Sequence, residues 1–255
     1  MKKAGAWVGI LLAVWALGPL VQLAFESFAG GWYWPALFPR EWTLRAWAYV
    51  FSPAAELKGA LFNSLFIGLG VAAGSVALAT PAARALALHS FRGKRAILWC
   101  LLLPAVAPPL ASTMGLHRML LVYGLTETAF GVALAHLVPA IPYATLMLVG
   151  SFNRFDPELE SQARTLGAPR WAVWRYVTLP AIAPGLAVAF CLCFLVSWSQ
   201  YLLTLLIGGG HVLTLPLELV AFQRGGDESI AAALSLVVLA PAVTGVVIVG
   251  RYLRK

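Results

Sequence analysis

The strongest constraint on this chain is a series of long stretches that contain no Asp, Glu, Lys or Arg. They run 4–25, 59–83, 96–117, 128–153, 176–217 and 229–250. A helix needs about 20 mostly apolar residues to cross a bilayer. The fifth stretch is long enough for two crossings, but Pro180 and Pro184 interrupt its start. Gly208-Gly209-Gly210 closes its apolar core, leaving 185–207 as one span. The expectation is an all-α integral membrane protein with six transmembrane helices, at 4–25, 60–84, 96–114, 129–151, 185–207 and 229–250. They form a single domain over 1–255. Composition supports this: 61% of residues are hydrophobic and 11% charged, against roughly 25% charged in a soluble domain. With 10 Trp, 13 Phe and 7 Tyr, the chain is far too aromatic to be disordered.

The formal charge of +8 would suit nucleic-acid binding, but sorting it by side explains it as topology. With both termini inside, the inner group is Lys2, Lys3, Arg84, Arg92, Lys94, Arg95, Arg154, Arg164, Arg170, Arg175, Arg251, Arg254 and Lys255. The outer group is Arg40, Arg45, Lys58, Arg118 and Arg224. Cytoplasmic loops attract Lys and Arg, so N-in, C-in is the expected orientation, and no nucleic-acid partner is needed. Lys2-Lys3 ahead of an apolar run resembles a signal peptide, yet a signal core spans roughly 7–15 residues. The run is read as an uncleaved first span. Trp32, Trp34, Trp42 and Trp47 follow it, as expected of a loop lying against headgroups.

Cys100, Cys191 and Cys193 all lie in apolar runs, with neither a disulfide framework nor metal-ligand spacing. They read as small hydrophobes, and neither a metal nor a cofactor is expected. Pro104, Pro108 and Pro109 in the third span point to a bent helix, which other protein or a cavity must satisfy.

The one sizeable hydrophilic connection, 153–182, lies between spans four and five. Asp156-Pro157-Glu158 is a helix start, Gly167 sits where a helix end wants a left-handed residue, and Pro169 opens a second short helix that Leu179-Pro180 ends. Trp171 and Trp174 stand on that helix among Arg170 and Arg175. An amphipathic helix resting on headgroups and a docking surface for a cytoplasmic protein fit this composition equally.

This loop resembles the cytoplasmic signature of binding-protein-dependent ABC importer permeases. That pattern is Glu-Ala-Ala, three residues, Gly, nine residues, an aliphatic, any residue, then Leu-Pro. Aligned on Gly167, the chain supplies Ala163, Val177 and Leu179-Pro180. Ser161 and Gln162 replace the first Glu and Ala, while Glu160 lies one residue early and Glu158 three. The Phe91-Arg92-Gly93-Lys94-Arg95 loop, Leu103-Pro104 with Pro108-Pro109, and the succession Ser197-Trp198-Ser199-Gln200-Tyr201, Gly208-Gly209-Gly210, Thr214-Leu215-Pro216 are also similar to family members.

The resemblance implies a permease that pairs with a second permease chain, paralogous or identical, and receives solute from an extracytoplasmic binding protein. It also implies that ABC ATPase subunits dock on the coupling loop, whose candidate residues are Glu158, Glu160, Ala163, Gly167, Trp171, Trp174, Leu179 and Pro180. The chain has no phosphate-cradling loop, since Gly93-Lys94 is followed by Arg95. ATP hydrolysis therefore belongs to a partner, and the chain is not expected to be an enzyme.

Candidate translocation-path residues are Asn63, Ser197, Trp198, Gln200 and Tyr201. His136 is the one ionisable group within a span, and a neutral ring bonded to a neighbouring helix backbone is the expectation. An enzyme built on Ser197 or Ser199 with His136 would lack an acid to orient the His, and a channel would lack a filter or charged ring. The Ala163–Gly167 wording resembles permeases for polyamines, ferric iron, thiamine and phosphonates; a sugar-type permease is the alternative. Residence in the inner membrane, surrounded by lipid, follows.

Overall fold

In the computed structural model, residues 2–32, 36, 38–52 and 57–253 are described, and all the regular structure among them is helical. An isolated antiparallel bridge joins Ala29 to Trp42. Trp34, Arg254 and Lys255 of the sequence reading lie outside the described residues. The order is α1 (Lys2–Ser27), α2 (Arg45–Val50), α3 (Leu57–Leu88), α4 (Lys94–Val106), α5 (Pro109–Val122) and α6 (Ala129–Phe152). Then come α7 (Glu158–Thr165), α8 (Arg170–Val173), a π-helical turn (Trp174–Thr178), α9 (Leu179–Trp198), α10 (Leu202–Gly208), α11 (Leu215–Arg224) and α12 (Glu228–Leu253). Four helical stretches among the described residues are long and apolar enough to cross a membrane: Leu57–Leu88, Ala129–Phe152, Arg170–Trp198 and Glu228–Gly245. The bent pair of α4 and α5 is apolar enough to be counted as a fifth when the two are taken together as one broken span.

Two expected spans are built differently from the sequence reading. The third, 96–114, is divided: Lys94–Pro104 and Pro109–Val122 meet at 97°. Residues that precede a proline are pushed out of the helical region. Ala107 before Pro108 (ψ 140°) and Pro108 before Pro109 (ψ 125°) are both extended. The fifth, expected at 185–207, begins earlier and ends earlier. The helix passes from Arg170 through Pro180 and Pro184 to Trp198, breaks at 199–201, and resumes as α10. Leu179-Pro180 does not end the second loop helix, because the π turn accommodates the proline. Leu179 donates to the Trp174 carbonyl, five residues back. Proline lacks an N–H and crowds the carbonyl four residues back, so a widened turn is where it fits.

The described chain divides into two compact units, Met1–Leu61 with Thr214–Ala242 and Phe62–Leu213 with Val243–Lys255. In the first, the Ser229 hydroxyl donates to the Ala29 carbonyl (2.7 Å), Trp47 Nε1 donates to Ser27 Oγ (3.2 Å), and Arg45 pairs with Asp227 (2.8 Å). These bonds tie the loop after α1 to the start of α12.

The second unit is organised by α6 against α9. Ala140, Ala144 and Ala189 are fully buried there, and small side chains let membrane helices approach closely. Cys193 Sγ reaches the Ala140 carbonyl at 3.3 Å. A Cβ on Gly185 would overlap the Ser151 side chain. We expect Gly185→Ala to destabilise the detergent-solubilised protein by about 2 kcal/mol through overpacking. Adding Ser151→Gly should recover much of the loss, read as thermal midpoints of the two single variants and the double.

Candidate functional site

The α6–α9 connection is built by short-range bonding that its sequence dictates. Asp156 Oδ1 accepts the Glu158 N–H at 2.9 Å, satisfying a donor at the start of α7. At the other end Gly167 adopts φ +86°. Its N–H donates to the Arg164 carbonyl (2.9 Å) and the Ala168 N–H donates to that of Ala163 (3.1 Å). This pair of bonds is a Schellman motif. It accounts for the spacing of Ala163 and Gly167: one supplies the carbonyl that closes the wider of the two bonds, the other the left-handed residue that lets the chain reverse. Pro169 then leads into α8 in an extended conformation.

Glu160 is buried on the inner face of α7, whereas Glu158 is exposed. Arg84, from the end of α3, grips Glu160 with both terminal nitrogens, Nη1 to Oε1 at 2.7 Å and Nη2 to Oε2 at 2.6 Å. The Thr178 hydroxyl, at the foot of α9, donates to Oε1 at 2.5 Å, and Arg164 stands 3.8 Å from Oε2. The Arg84 guanidinium, followed by the Thr178 hydroxyl and the two positive charges, holds the Glu160 carboxyl below the ordinary carboxylate range against the opposing effect of burial. A bidentate, charge-assisted pair of this kind is geometrically specific. One carboxylate therefore ties α7 to both α3 and α9. Arg84 and Thr178 were not singled out in the sequence, since neither lies in a recognisable pattern with Glu160.

Around this clamp several large apolar side chains are exposed among the charged ones. Leu166 is 88% exposed and Trp171 65%, with Trp174 and Tyr176 also exposed. Trp171 and Tyr176 lie 6.0 Å apart, and the Arg175 guanidinium is 5.7 Å from the Tyr176 ring. Leu179 is half-buried and Pro180 exposed.

The path candidates separate into two groups. Ser197 and Trp198 are buried within the chain, Trp198 stacked on Phe194 at 5.4 Å. Gln200 and Tyr201 are half-buried and Ser199 is exposed, all three in the break between α9 and α10. Asn63 donates from Nδ2 to the Leu213 carbonyl at 2.9 Å, holding the segment that follows the three glycines.

His136 bonds to two side chains and not, as expected, to a helix backbone. Its Nδ1 lies 2.9 Å from Ser197 Oγ and its Nε2 3.1 Å from Thr204 Oγ1. This brings a Ser and a His together, but both are buried, and a hydroxyl occupies the place of an orienting acid. Among the described residues no group of three or more His, Cys, Asp or Glu could hold a metal.

Residues 75–255 match the family described as "Binding-protein-dependent transport system inner membrane component". The chain belongs to this family. It is 32% identical over 200 residues to the trehalose transport system permease protein SugB of Mycobacterium tuberculosis, covering 76% of this chain and 73% of that one. It is 32% identical over 225 residues to the molybdenum transport system permease protein ModB of Mycobacterium bovis, covering 81% and 83%. Its fold is similar to a crystal structure of a bacterial ABC transporter involved in import of the acidic polysaccharide alginate. That match has a TM-score of 0.76 at 18% identity and covers 98% of this chain and 95% of the other. The protein is thus a multi-pass membrane permease of the binding-protein-dependent ABC type, a transport subunit and not an enzyme.

Removing one partner of a largely buried ion pair leaves the other charge uncompensated. We expect Arg84→Ala to destabilise the permease by roughly 3 kcal/mol, the lower end for such pairs because Arg84 is partly exposed. The pH dependence has a definite sign. A carboxyl held low in the folded state stabilises above its unfolded value, and the contribution falls away as acidity protonates it. Thermal midpoints should hold from neutrality toward pH 5 and fall below about pH 4, with a shallower acid limb in Glu160→Gln.

Proposed function

We propose that this permease is a transmembrane subunit of an ATP-driven importer. It crosses the inner membrane six times, with both termini in the cytoplasm, and pairs with a second permease chain to form the solute path. A separate ATPase drives it through α7, and an extracytoplasmic binding protein delivers solute. The observation that carries this reading is the Glu160 clamp. A rigid attachment of α7 to α3 and to the foot of α9 passes displacement of the loop directly into two membrane helices. The exposed Leu166, Trp171, Trp174 and Tyr176 supply apolar surface for the ATPase, and Glu158, Ala163, Gly167, Leu179 and Pro180 shape that surface. Rocking of the helices between outward- and inward-facing states then moves the solute.

Gln200 and Tyr201 are assigned to the path wall, with Asn63 holding the loop beyond it and Ser197 and Trp198 supporting the wall from within. The solute is a small polar or charged species of the polyamine, ferric iron, thiamine or phosphonate class. The likeness to the trehalose permease supports a sugar as the second reading. Permease purified with its co-expressed neighbours should bring down an ATPase and a second permease chain, and the binding protein's ligand names the solute. In the reconstituted complex, Gly167→Pro removes the left-handed residue and Ala163→Asp places a charge at the end of α7. Both variants should insert normally yet lose solute-stimulated ATPase activity. Full stimulation in either would overturn the docking role.

A further inference from the structure

The break at 199–201 leaves helix carbonyls without their usual donors, and inside a bilayer these must be satisfied within the protein. Local groups meet most of the demand. The Gln200 N–H donates to the Ser197 carbonyl (3.2 Å), Ser199 Oγ to the Val196 carbonyl (3.2 Å), and Thr204 Oγ1 to the Gln200 carbonyl (3.0 Å). The last bond fixes the rest of the network. A hydroxyl has one proton to give, so Thr204, having spent it on Gln200, accepts from His136. His136 therefore carries its proton on Nε2. Nδ1 is left as an acceptor and takes the Ser197 hydroxyl proton. Each polar atom of the imidazole is matched, and the two hydroxyls it joins lie on either side of the break, Ser197 near the end of α9 and Thr204 in the first turn of α10.

We propose that His136 is the positioning residue of the translocation path. Anchored on α6, it sets the separation and angle of α9 and α10 across the break, and so decides where Gln200 and Tyr201 stand. The proposal rests on the reading of the break as path wall. His136 touches the ends of both helical segments, while Gln200 and Tyr201 between them are only half-buried. A buried network in which every member is matched specifies one arrangement of its elements. A polar group that merely filled a core site would not need to bond on both sides of a helix interruption.

The test uses the assembled transporter in proteoliposomes, with Cys100 and Cys191 changed to Ser, Cys193 changed to Ala, and Gln200→Cys as reporter. Labelling by a membrane-impermeant methanethiosulfonate is followed with and without the solute-loaded binding protein, beside the solute KM and the maximal ATPase rate. His136→Leu should change the labelling rate by about fivefold, the scale of losing one hydrogen bond, and shift KM more than the maximal rate. Ser197→Ala and Thr204→Val should each shift it the same way. His136→Gln, whose amide can accept at one atom and donate at the other, should restore it. Should His136→Leu fail to insert, the two hydroxyl variants decide the matter. A reporter labelled at one rate in all backgrounds overturns the positioning role and leaves the path reading standing. A reporter labelled in none overturns the path reading, and the proposal with it.

Discussion

A single buried carboxylate, Glu160, organises the part of this permease that its partner is proposed to address. Charge is costly to bury unless it is paired and fully hydrogen-bonded. Glu160 meets that condition through a bidentate arginine from α3 and a hydroxyl at the foot of α9. The same three groups hold a short helix that could not be stable alone, since isolated helices of this length are marginal in water. Without the clamp α7 would rely on its capping bonds and on little apolar burial. With it, α7 is bonded directly to α3 and to the foot of α9, the attachment on which the proposed coupling rests.

The junction of α9 and α10 solves a related problem with neutral groups. The α9–α10 break leaves carbonyls without their usual helical donors, and the hydroxyls of Ser199 and Thr204 turn back onto the chain to bond the Val196 and Gln200 carbonyls. Such side chains bond back to the local backbone, here at the point where the helix is interrupted. The imidazole of His136 then joins the two sides. In both places a polar side chain from a different helix fixes an irregular backbone, by charge at the loop and by a tautomer in the interior.

Much of this was legible in the residues. Charge-free stretches marked the long helices, Asp156-Pro157 and Gly167 marked the two ends of α7, and Pro104 with Pro108-Pro109 announced the bend between α4 and α5. Reading Pro180 as a stop failed because a π turn, which leaves no mark in composition, absorbs it. The helix expected to reach 207 is interrupted at 199–201, inside a stretch without Asp, Glu, Lys or Arg where composition marks no stop. Glu160 stands one residue ahead of the motif position, and its burial and pairing are evident only from the side of α7 it occupies.

The class of molecule, the presence of long apolar helices and the bend in the hydrophilic connection are legible from the residues alone. Hydropathy, proline and glycine act locally, and each carries its constraint within a few residues. Tertiary structure alone decided that Arg84 meets Glu160 across 76 positions and that His136 joins Ser197 to Thr204 across 61 and 68. Those pairings follow from which helix faces come together, α3 with α7 in one case and α6 with α9 and α10 in the other, which no local pattern encodes.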